Sequence, residues 1–468
     1  MSKTFDTFGL NPALLQALAS ESYTTPTPIQ AQAIPDVMAG KDLLGIAQTG
    51  TGKTAAFALP ILHRLAANRV APKPRTARVL ILSPTRELAS QIAESFKTYG
   101  RHLGFKVAVV FGGVKYGPQE RAIQAGLDVL VATPGRLLDH MQQKTLDLSC
   151  TEIFVLDEAD QMLDLGFVKP IRQIVSRIPA MRQNLFFSAT MPTEIGKLAG
   201  ELLKDPVKVS VTPQATTVQR ISQSIIHIEQ GRKRALLTEM FADPHYTRCL
   251  VFTKTKHGAD KVAAYLEAGG VEAGAIHGNK SQPQRERTLA AFKAGKLRVL
   301  VATDIAARGI DIPAVSHVFN YDLPEVPDAY VHRIGRTARA GRDGIAIAFC
   351  GPDEGRLLRD IEKLMSIDIP VASGEPPANL ARPARPQRRA GGGGGGNNRN
   401  HQAPGQGRGK SEGGAKADGR PAKSGHRKGG NGGGQNRSAN GGQGRPGNGS
   451  GQGRPARSGT AGGRRREA

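Results

Sequence analysis

Short apolar runs alternate with stretches of helical pattern along the chain as far as Phe349. The runs are rich in β-branched residues and bounded by polar or glycine residues, which predicts buried parallel strands rather than half-exposed ones. They fall into two series, and two β/α series of about 150 to 200 residues each predict two doubly wound domains. The first series comprises Leu43–Ile46, Val79–Leu82, Val107–Val110, Val129–Ala132, Ile153–Leu156 and Leu185–Phe187, and the second comprises Leu250–Phe252, Ala273–Ile276, Val299–Ala302, Val318–Phe319 and Ile345–Phe349.

The pattern is interrupted between the two series and again near the C-terminus. A stretch containing Pro and Thr, around Asp205 to Arg220, predicts a short linker. After about Ala372, Gly, Arg, Asn, Gln and Pro dominate, and no aromatic residue follows Phe349. Such a segment cannot bury enough apolar area to offset its chain entropy, so we expect disorder. The expected division is a first domain at 1–208, a linker at 209–218, a second domain at 219–372 and a tail at 373–468.

Positive charge is concentrated in the tail. The chain has a formal net charge of +24, and the segment from Val371 onward has 15 Arg and 4 Lys against 4 acidic residues. Such an excess favours a polyanionic partner through phosphate contacts and counterion release, although charge alone could also serve only solubility. With this much Arg we interpret the tail as a nonspecific nucleic-acid arm, and as a possible contact for ribonucleoprotein partners, rather than an inert linker.

Cysteine usage and hydropathy indicate in which cellular compartment the protein is expected. Cys150, Cys249 and Cys350 are scattered singly, which argues against a disulfide framework or a zinc site and suits a reducing cytosol. Each is expected to be a small buried hydrophobe rather than a nucleophile. The segment Met1–Asp6 lacks the features of a signal peptide, and no window approaches about 18 uninterrupted apolar residues. We therefore expect a cytoplasmic protein without a membrane partner; no sequence feature specifies an oligomer.

A phosphate-binding loop is predicted at Ala47–Thr54. It follows the strand pattern Leu43–Ile46 and opens a helical pattern from Ala55 to Leu65, the context that a P-loop requires. Gly50 and Gly52 allow backbone N–H groups to turn inward around an anion at the positive end of the helix dipole. This context predicts a phosphate site at the start of the helix.

Individual loop residues have distinct expected roles. Lys53 would reach the β- and γ-phosphates, and the Thr54 hydroxyl would bind Mg²⁺. The motif's usual leading glycine is replaced by Ala47, which is also small. The expected nucleotide-binding residues of the loop are Ala47, Gln48, Thr49, Gly50, Thr51, Gly52, Lys53 and Thr54.

A pair of carboxylates follows the buried strand pattern Ile153–Leu156. Asp157 is suited to holding Mg²⁺ together with Thr54, and Glu158 to orienting and deprotonating the attacking water. An acidic pair at a strand end can also be merely solvated, but here it follows an all-apolar strand downstream of a P-loop. We interpret it as the second half of an NTP-hydrolysing site.

Three motifs in order then resemble the DEAD-box ATP-dependent RNA helicases of superfamily 2. They are Asp157–Asp160, Ser188–Thr190 and His332–Arg339, and the resemblance extends from about Phe5 to Pro370. It implies two tandem RecA-like domains that use ATP and Mg²⁺ and bind single-stranded and duplex RNA. The chain shows no extra folded RNA-binding domain before its tail, which is similar to the bacterial RhlE-type branch.

The resemblance implies an adenine-reading Q motif at residues 3–31. In it, the Gln30 amide would pair with adenine, Phe5 would stack on the base, and Thr25 would contribute to nucleotide binding. The family usually has Gly where this chain has Ser22. From the second domain, the resemblance adds Asp311 to the nucleotide contacts.

The resemblance also implies RNA contacts on both domains. These positions offer Arg side chains, Thr hydroxyls and glycine amides, which suit phosphates and 2′-hydroxyls rather than base edges. Binding independent of RNA sequence is therefore expected. The implied residues are Arg86, Gly113, Thr133, Arg136, Thr253, Gln282, Arg285 and Thr303.

The last motif implies that the second domain takes part in catalysis. Arg336 and Arg339 are three residues apart, so on one helical turn they would face the same side, and by resemblance they act as arginine fingers. The family more often has Gly where this chain has Ala338. The resemblance further implies that Ser188 and Thr190 couple the carboxylates of the first domain to His332. His332 is thus a third catalytic position of the second domain, besides Arg336 and Arg339.

The function expected from these features is an RNA-dependent ATPase that locally unwinds short duplexes and remodels RNA or RNA–protein complexes. Three alternatives remain open. One is a processive translocase on the same scaffold, and another is a non-enzymatic RNA annealer that acts through the basic tail. The third, a P-loop kinase or GTPase, would leave the second domain unexplained.

Overall fold

A computed structural model describes residues 4–48, 50–211, 220–307, 310, 312, 315–338 and 343–376. Three expected site residues, Thr49, Asp311 and Arg339, lie outside the described residues, as do most of the predicted linker and the predicted tail from residue 377 onward. Within the described ranges the chain forms two α/β units, each built around one parallel sheet.

The first unit has a seven-stranded parallel sheet in the order β3-β4-β2-β5-β6-β1-β7. Its strands are β1 Leu43–Ile46, β2 Ala77–Leu82, β3 Val107–Val110, β4 Leu127–Ala132, β5 Ile153–Leu156, β6 Gln183–Ser188 and β7 Val207–Ser210. Its α-helices are α1 Pro12–Ser20, α2 Pro28–Met38, α3 Lys53–Ala67, α4 Arg86–Tyr99, α5 Tyr116–Gln124, α6 Pro134–Gln142, α7 Ala159–Asp164, α8 Val168–Val175 and α9 Thr193–Leu202, preceded by the 3-10 helix Phe5–Phe8.

The second unit has a seven-stranded parallel sheet in the order β10-β11-β9-β12-β13-β8-β14. When its strands are counted from its own first strand, this order is the same as in the first sheet. Its strands are β8 Ile221–His227, β9 Cys249–Phe252, β10 Ala273–Ile276, β11 Val299–Ala302, β12 His317–Asn320, β13 Gly344–Cys350 and β14 Val371–Ser373. Its α-helices are α10 Lys233–Phe241, α11 Lys256–Ala268, α12 Gln282–Lys293, α13 Asp304–Ala307, α14 Pro327–Ile334 and α15 Gly355–Met365, with the 3-10 helix Pro352–Glu354 before α15.

Burial on both faces explains the continuous apolar runs. Strands β2, β4 and β5 are buried at every position, and separate apolar clusters pack on the two faces of the first sheet. In a parallel sheet covered by helices on both sides, the side chains on both faces are buried. The predicted pair of doubly wound, RecA-like domains is confirmed, and every predicted strand is present.

Three strands were missing from the sequence prediction. Strand β7 lies within the stretch from Asp205 to Arg220 that was expected to be a linker, so the start of that prediction was wrong. Strand β7 and strand β14 are at sheet edges, while β8 pairs with β13 and carries several polar residues. Short or partly polar strands give no continuous apolar run, which is the signal that identified the others.

The cysteines are divided between core and surface. Cys249 and Cys350 are buried, as predicted, whereas Cys150 is only half-buried in the loop before β5. The expectation of burial was therefore wrong for Cys150. Over the described ranges, no helix combines the length and apolar character that crossing a bilayer requires.

Candidate nucleotide and RNA site

The carboxyl ends of β5, β6 and β1 lie side by side because these strands are neighbours in the first sheet. The loop beginning at Ala47 follows β1, Ser188 ends β6, and Asp157 follows β5. The Ala47 amide donates to the Ser188 carbonyl at 3.0 Å, which fixes the loop to the neighbouring strand. Ligand sites in such sheets lie at the carboxyl ends of the strands, so the topology itself collects the predicted residues.

Lys53 and Glu158 form a buried ion pair at this edge. Lys53 Nζ lies 2.7 Å from Glu158 Oε1, and the two side chains are 5% and 3% exposed. Burial alone would lower the pKa of Lys53, but the nearby Glu158 and Asp157 carboxylates outweigh it and raise that pKa. Lys53 is therefore a charged group held inside the protein, directly at the start of α3.

Gln161 binds the other oxygen of Glu158. Its Nε2 donates to Glu158 Oε2 at 2.6 Å, and both residues are buried. The backbone of Glu158 has φ of 58°, a left-handed conformation that costs a non-glycine residue about 1 to 3 kcal/mol. Both the backbone turn between β5 and α7 and the Gln161 amide thus constrain the direction of the Glu158 carboxylate.

Asp157 has the properties of a cation ligand. It is 2% exposed, and no donor among the described residues reaches its Oδ1 atom. Burial raises the pKa of Asp157, although the Lys53 ammonium opposes the change. A buried carboxylate oxygen without a donor is suited to Mg²⁺, and Asp157 and Thr54 line one and the same cavity. The residues present therefore fit the predicted metal.

The glycines of the loop adopt conformations that other residues rarely take. Gly50 and Gly52 have φ of 83° and 92°. A Cβ on Gly52 would lie 2.3 Å from Gln30 Nε2, so both conformation and contact require glycine there. Thr51 Oγ1 donates to the carbonyl of Gln48 at 2.8 Å and closes the turn. Ala47 is not among the residues with positive φ, which explains why the first position accepts a side chain.

Gln30 links the Q motif to the phosphate loop. Its Oε1 accepts from the Thr27 amide at 2.8 Å as part of the N-terminal cap of α2, and its Nε2 donates to the Gly52 carbonyl at 3.0 Å. The same Nε2 also donates to the Tyr23 hydroxyl. Both amide protons are thus engaged within the protein, so pairing with adenine requires Gln30 to exchange at least one of these bonds.

Of the aromatic residues in the predicted Q motif, Tyr23 lines the cavity at this edge of the sheet and Phe5 does not. Phe5 is 3% exposed and packs against Tyr23 at 5.1 Å between ring centroids, and Phe8 covers it at 6.2 Å. The structure therefore places Phe5 behind Tyr23, and it leaves Thr25 exposed on the loop before α2.

A cavity of about 540 Å³ joins the two domains at this edge. Lys53, Asp157 and Glu158 line it from the first domain, and Arg336 lines it from the second. Arg336 is 6% exposed and its Nη1 donates to the Ile310 carbonyl at 3.1 Å. The structure thus brings one predicted arginine finger into the same cavity as the predicted carboxylates. The second-domain residues Lys293 and Ile310 also line this cavity.

The helical argument for Arg336 was wrong. Helix α14 ends at Ile334 and Gly335 caps it, so Arg336 lies in the turn that follows. Its position therefore depends on this turn, which includes Ala338 with φ of 54°, and not on a helical face.

Ser188 and Thr190 contact Asp160 of the carboxylate motif. Asp160 Oδ2 accepts from the Thr190 amide at 2.9 Å and from the Thr190 hydroxyl at 3.0 Å, while Ser188 Oγ accepts from the Asp160 amide at 3.2 Å. His332 lies in α14 of the second domain and borders a separate small cavity with Arg333 and Arg336. The predicted coupling to His332 stays a prediction, whereas the contact within the first domain is direct.

Arg86 and Arg136 form a cationic surface on the first domain, next to the buried Arg285 of the second domain. Burial lowers the pKa of Arg86, and the neighbouring Arg285 and Arg136 lower it further while Glu87 opposes them. Gly113 leaves room for the Arg86 guanidinium, because a Cβ at this position would lie 2.0 Å from Arg86 Nη1. Clustered like charges are relieved by bound phosphates, so this surface suits a polyanion.

Arg285 and Gln282 also join the two domains. Arg285 Nε donates to Glu87 Oε1 at 2.8 Å, and Gln282 Nε2 donates to the same oxygen at 3.3 Å. All three side chains are at least nine-tenths buried. The structure therefore places these two expected RNA ligands in a contact between α12 and α4.

The three expected threonine ligands lie at the ends of strands. Thr133 follows β4 and is 8% exposed, while Thr253 follows β9 and is fully buried, its hydroxyl donating to the Thr255 carbonyl at 3.2 Å. Thr303 follows β11, is half-buried, and its carbonyl caps α13. As oriented here, Thr253 presents no exposed hydroxyl.

Comparison with known proteins decides the family. Residues 27–198 match the DEAD/DEAH box helicase family, and residues 232–341 match the helicase conserved C-terminal domain. The chain is 41% identical over 360 residues to the DEAD-box ATP-dependent RNA helicase CshA of Bacillus cereus, an alignment that covers 77% of this chain and 68% of that protein. The chain belongs to the DEAD-box ATP-dependent RNA helicases.

Two further similarities support this assignment. The chain is 43% identical over 367 residues to the ATP-dependent RNA helicase DeaD of Buchnera aphidicola, covering 78% of this chain and 60% of that protein. It thus spans about 60% of the length of that relative. The structure resembles S. cerevisiae Dbp5 bound to RNA and ADP BeF3, with a TM-score of 0.70 and 32% identity over 79% of this chain and 96% of that chain. The RhlE-type branch stays a prediction.

Two side chains, one at the DEAD-box motif and one in the contact between the domains, were missed from sequence. Gln161 is three residues after Glu158, the residue that precedes α7, and this spacing from an N-cap residue could have identified it. Glu87 could not be identified, because its contact with Arg285 joins residues of two different domains. No spacing rule in the sequence connects these two positions.

Proposed function

We propose that this DEAD-box protein is an RNA-dependent ATPase that locally unwinds short RNA duplexes and remodels RNA or RNA–protein complexes. The supporting observation is the cavity lined by Lys53, Asp157 and Glu158 from one domain and by Arg336 from the other. A site divided in this way is complete only when both domains contribute, so hydrolysis can be made to depend on their arrangement.

The chemistry follows from the buried ion pair. Lys53 would exchange Glu158 for the β- and γ-phosphates of ATP, which leaves the Glu158 carboxylate, still held by Gln161, to orient the attacking water. Asp157 and Thr54 would hold Mg²⁺, which when bound neutralises charge on the phosphates. Arg336 would stabilise the charge that develops on the transferring phosphoryl group.

RNA would bind along the cationic surface of Arg86 and Arg136, beside the turn at Gly113. Arginine and backbone amides recognise phosphates and not base edges, so binding independent of sequence is expected. Duplex RNA holds its strands in a continuous helix, and a single strand bent across two domains is incompatible with it, so a short duplex would be opened locally. The RNA-bound Dbp5 structure, which shares this fold, supports RNA as the partner.

Communication between RNA and ATP would pass through the Glu87–Arg285 contact. Glu87 is next to Arg86 at the start of α4, and Arg285 belongs to the second domain, as does Arg336. RNA that binds Arg86 would therefore favour the arrangement in which Arg336 faces Glu158. By thermodynamic reciprocity, ATP would in turn strengthen RNA binding.

The test is the rate of ATP hydrolysis with single-stranded RNA, with single-stranded DNA and without nucleic acid. We expect stimulation by RNA, little by DNA, and loss of turnover in Glu158→Gln. Unwinding assays with short and long duplexes separate local opening from processive translocation, which would open both. Hydrolysis that is equal with and without RNA would overturn the proposal.

A second activity, RNA annealing, is favoured by the excess of Arg in the tail. Removing residues after 376 keeps β14 and should leave turnover at saturating RNA near normal, while raising the RNA concentration needed and flattening its salt dependence. If Glu158→Gln abolished hydrolysis but left all strand rearrangement intact, annealing would be the principal function. Loss of turnover on tail removal would refute the proposed division between core and tail.

A further inference from the structure

Tyr116 lies at the centre of a side-chain cluster beside the proposed RNA surface. Its ring stacks on His140, with 4.1 Å between ring centroids and an interplanar angle of 19°. Its hydroxyl is 2.9 Å from Thr145 Oγ1, and His140 Nδ1 is 2.8 Å from the same oxygen. We call Tyr116, His140 and Thr145 the Tyr116 cluster.

The Tyr116 cluster is hydrogen-bonded and uncharged. The Thr145 hydroxyl has one proton, which it donates to the His140 carbonyl at 3.1 Å. Burial lowers the pKa of His140 to about 4, so the imidazole is neutral at neutral pH. His140 is fully buried, and within the described ranges its Nε2 has no partner. The cluster is therefore a rigid, uncharged support.

Arg136 rests on this support. Its guanidinium carbon lies 5.7 Å from the centroid of the Tyr116 ring. On its other sides, Nη1 donates to the Val114 carbonyl at 3.3 Å, and Nε lies 3.5 Å from the Asp139 carboxylate. The Arg136 side chain is only 14% exposed, so most of its rotamer freedom is already lost in the free protein. Side chains ordered before binding lose less entropy when a phosphate binds.

The cluster also connects two proposed RNA-binding segments. Tyr116 is the first residue of α5, close after Gly113, whereas Arg136 and His140 belong to α6. The ring of Tyr116 therefore sets the distance between the loop at Gly113, which packs against Arg86, and helix α6, which contains Arg136. A smaller side chain at this position would leave both the guanidinium and the His140 ring without their common packing surface.

We propose that Tyr116 is a positioning residue that orders Arg136 for contact with the RNA backbone. This inference rests on the proposed function, in which Arg136 binds RNA. Tyr116 acts through Arg136 and does not itself take part in ATP hydrolysis. It therefore sets the RNA concentration needed for stimulation and leaves turnover at saturating RNA unchanged.

The experiment measures RNA-stimulated ATP hydrolysis of the full chain as a function of single-stranded RNA concentration. We expect Tyr116→Leu to raise the half-saturating RNA concentration about 3- to 10-fold, as for loss of one cation–π contact and of preorganisation. Tyr116→Phe keeps the ring and should stay within about twofold of the native protein, because it loses only one neutral hydrogen bond. A matched control is Tyr265→Leu, which removes a similar arginine–tyrosine pair, with Arg234 at 5.4 Å, from a surface of the second domain outside the proposed RNA contacts.

A double variant distinguishes positioning from a separate contact. Arg136→Ala alone should raise the half-saturating concentration, and adding Tyr116→Leu should raise it no further, since the two changes remove one shared element. Additive effects, an unchanged half-saturating concentration in Tyr116→Leu, or a fall in saturated turnover instead would each overturn the inference. If Arg136→Ala has no effect, the proposed RNA contact of Arg136 fails as well, whereas an effect of Arg136→Ala alone leaves that contact standing.

Discussion

Ser22 and Ala338, the two residues that stand where the family usually has glycine, both have a left-handed backbone, with φ of 54° at each. L-residues pay about 1 to 2 kcal/mol for this conformation, whereas glycine does not. The structure therefore gives the physical reason for the family's glycines and shows that the turns persist without them. Ala338 recovers part of the cost because its methyl group is buried in the core of the second domain, while Ser22 is exposed.

Ser22→Gly should consequently stabilise the first domain. Relief of the left-handed strain outweighs the greater entropy of glycine in the unfolded chain, for a net gain of about 0.5 to 1 kcal/mol in the free energy of unfolding. Urea denaturation measures it. The control is Ala294→Gly, at an exposed residue with φ of −77°, which should lose stability. Equal destabilisation by both substitutions would contradict the explanation.

Two buried histidines predict a loss of stability in mild acid. Burial lowers the pKa of both His140 and His317 from the ordinary 6.5 to about 4; Arg136 adds to the effect at His140 and His245 at His317, while Asp139 and Asp243 oppose it. Between these pH values the unfolded chain binds more protons than the folded protein. The stabilisation is thus complete above about pH 6.5 and is lost as the pH falls toward about 4.

The measurement compares free energies of unfolding at about pH 7 and about pH 5. His140→Asn and His317→Asn should each show a smaller change between the two values than the native protein, because one titrating group is gone. His102→Asn, at an exposed histidine, serves as the control and should retain the native change. An unaltered pH dependence in both core variants would rule out this origin.

At the scale of elements, the sequence identified the strands that form continuous apolar runs and missed those that do not. Strand β5 reads as an unbroken apolar run because helices cover both sides of it, and so it predicted where Asp157 and Glu158 would lie. Strand β14 is exposed at every position, so no apolar pattern marks it. The phosphate loop was also predictable, because its glycines are required by local backbone geometry.

The turn at Gly113 offers a test at this scale. Gly113→Ala places a Cβ 2.0 Å from Arg86 Nη1 and strains a backbone with φ of 81°, so it should both destabilise the protein and raise the RNA concentration that half-saturates hydrolysis. Gly104→Ala is matched in backbone conformation, with φ of 69°, but meets no atom within 4 Å. We expect about 1 kcal/mol of destabilisation in both and weaker RNA binding only in Gly113→Ala. Equal RNA requirements in the two variants would show that Arg86 does not need this space.

For the whole molecule, the sequence predicted the identity of the site residues better than the contacts between them. Lys53 and Glu158 were assigned separate roles, and the structure shows them as one buried ion pair. Arg336 was expected on a helix that in fact ends before it. Such relations depend on tertiary contacts between distant segments, as does the Glu87–Arg285 contact, and no local periodicity encodes them. The two sheets have the same strand order, counted from the first strand of each.

The catalytic role proposed for Arg336 of the second domain is to complete a site built on the first domain. Single-turnover ATP hydrolysis at saturating RNA tests it most directly, with Arg336→Ala and Arg336→Lys compared with the native protein and nucleotide binding measured in parallel. An arginine finger is worth about 10³- to 10⁵-fold, so we predict a loss of at least about 10³-fold in Arg336→Ala, only slight recovery with Lys, and nearly native nucleotide affinity. Hydrolysis by Arg336→Ala within about threefold of the native rate would contradict the account, because a change of under 1 kcal/mol in the barrier is far less than a finger supplies.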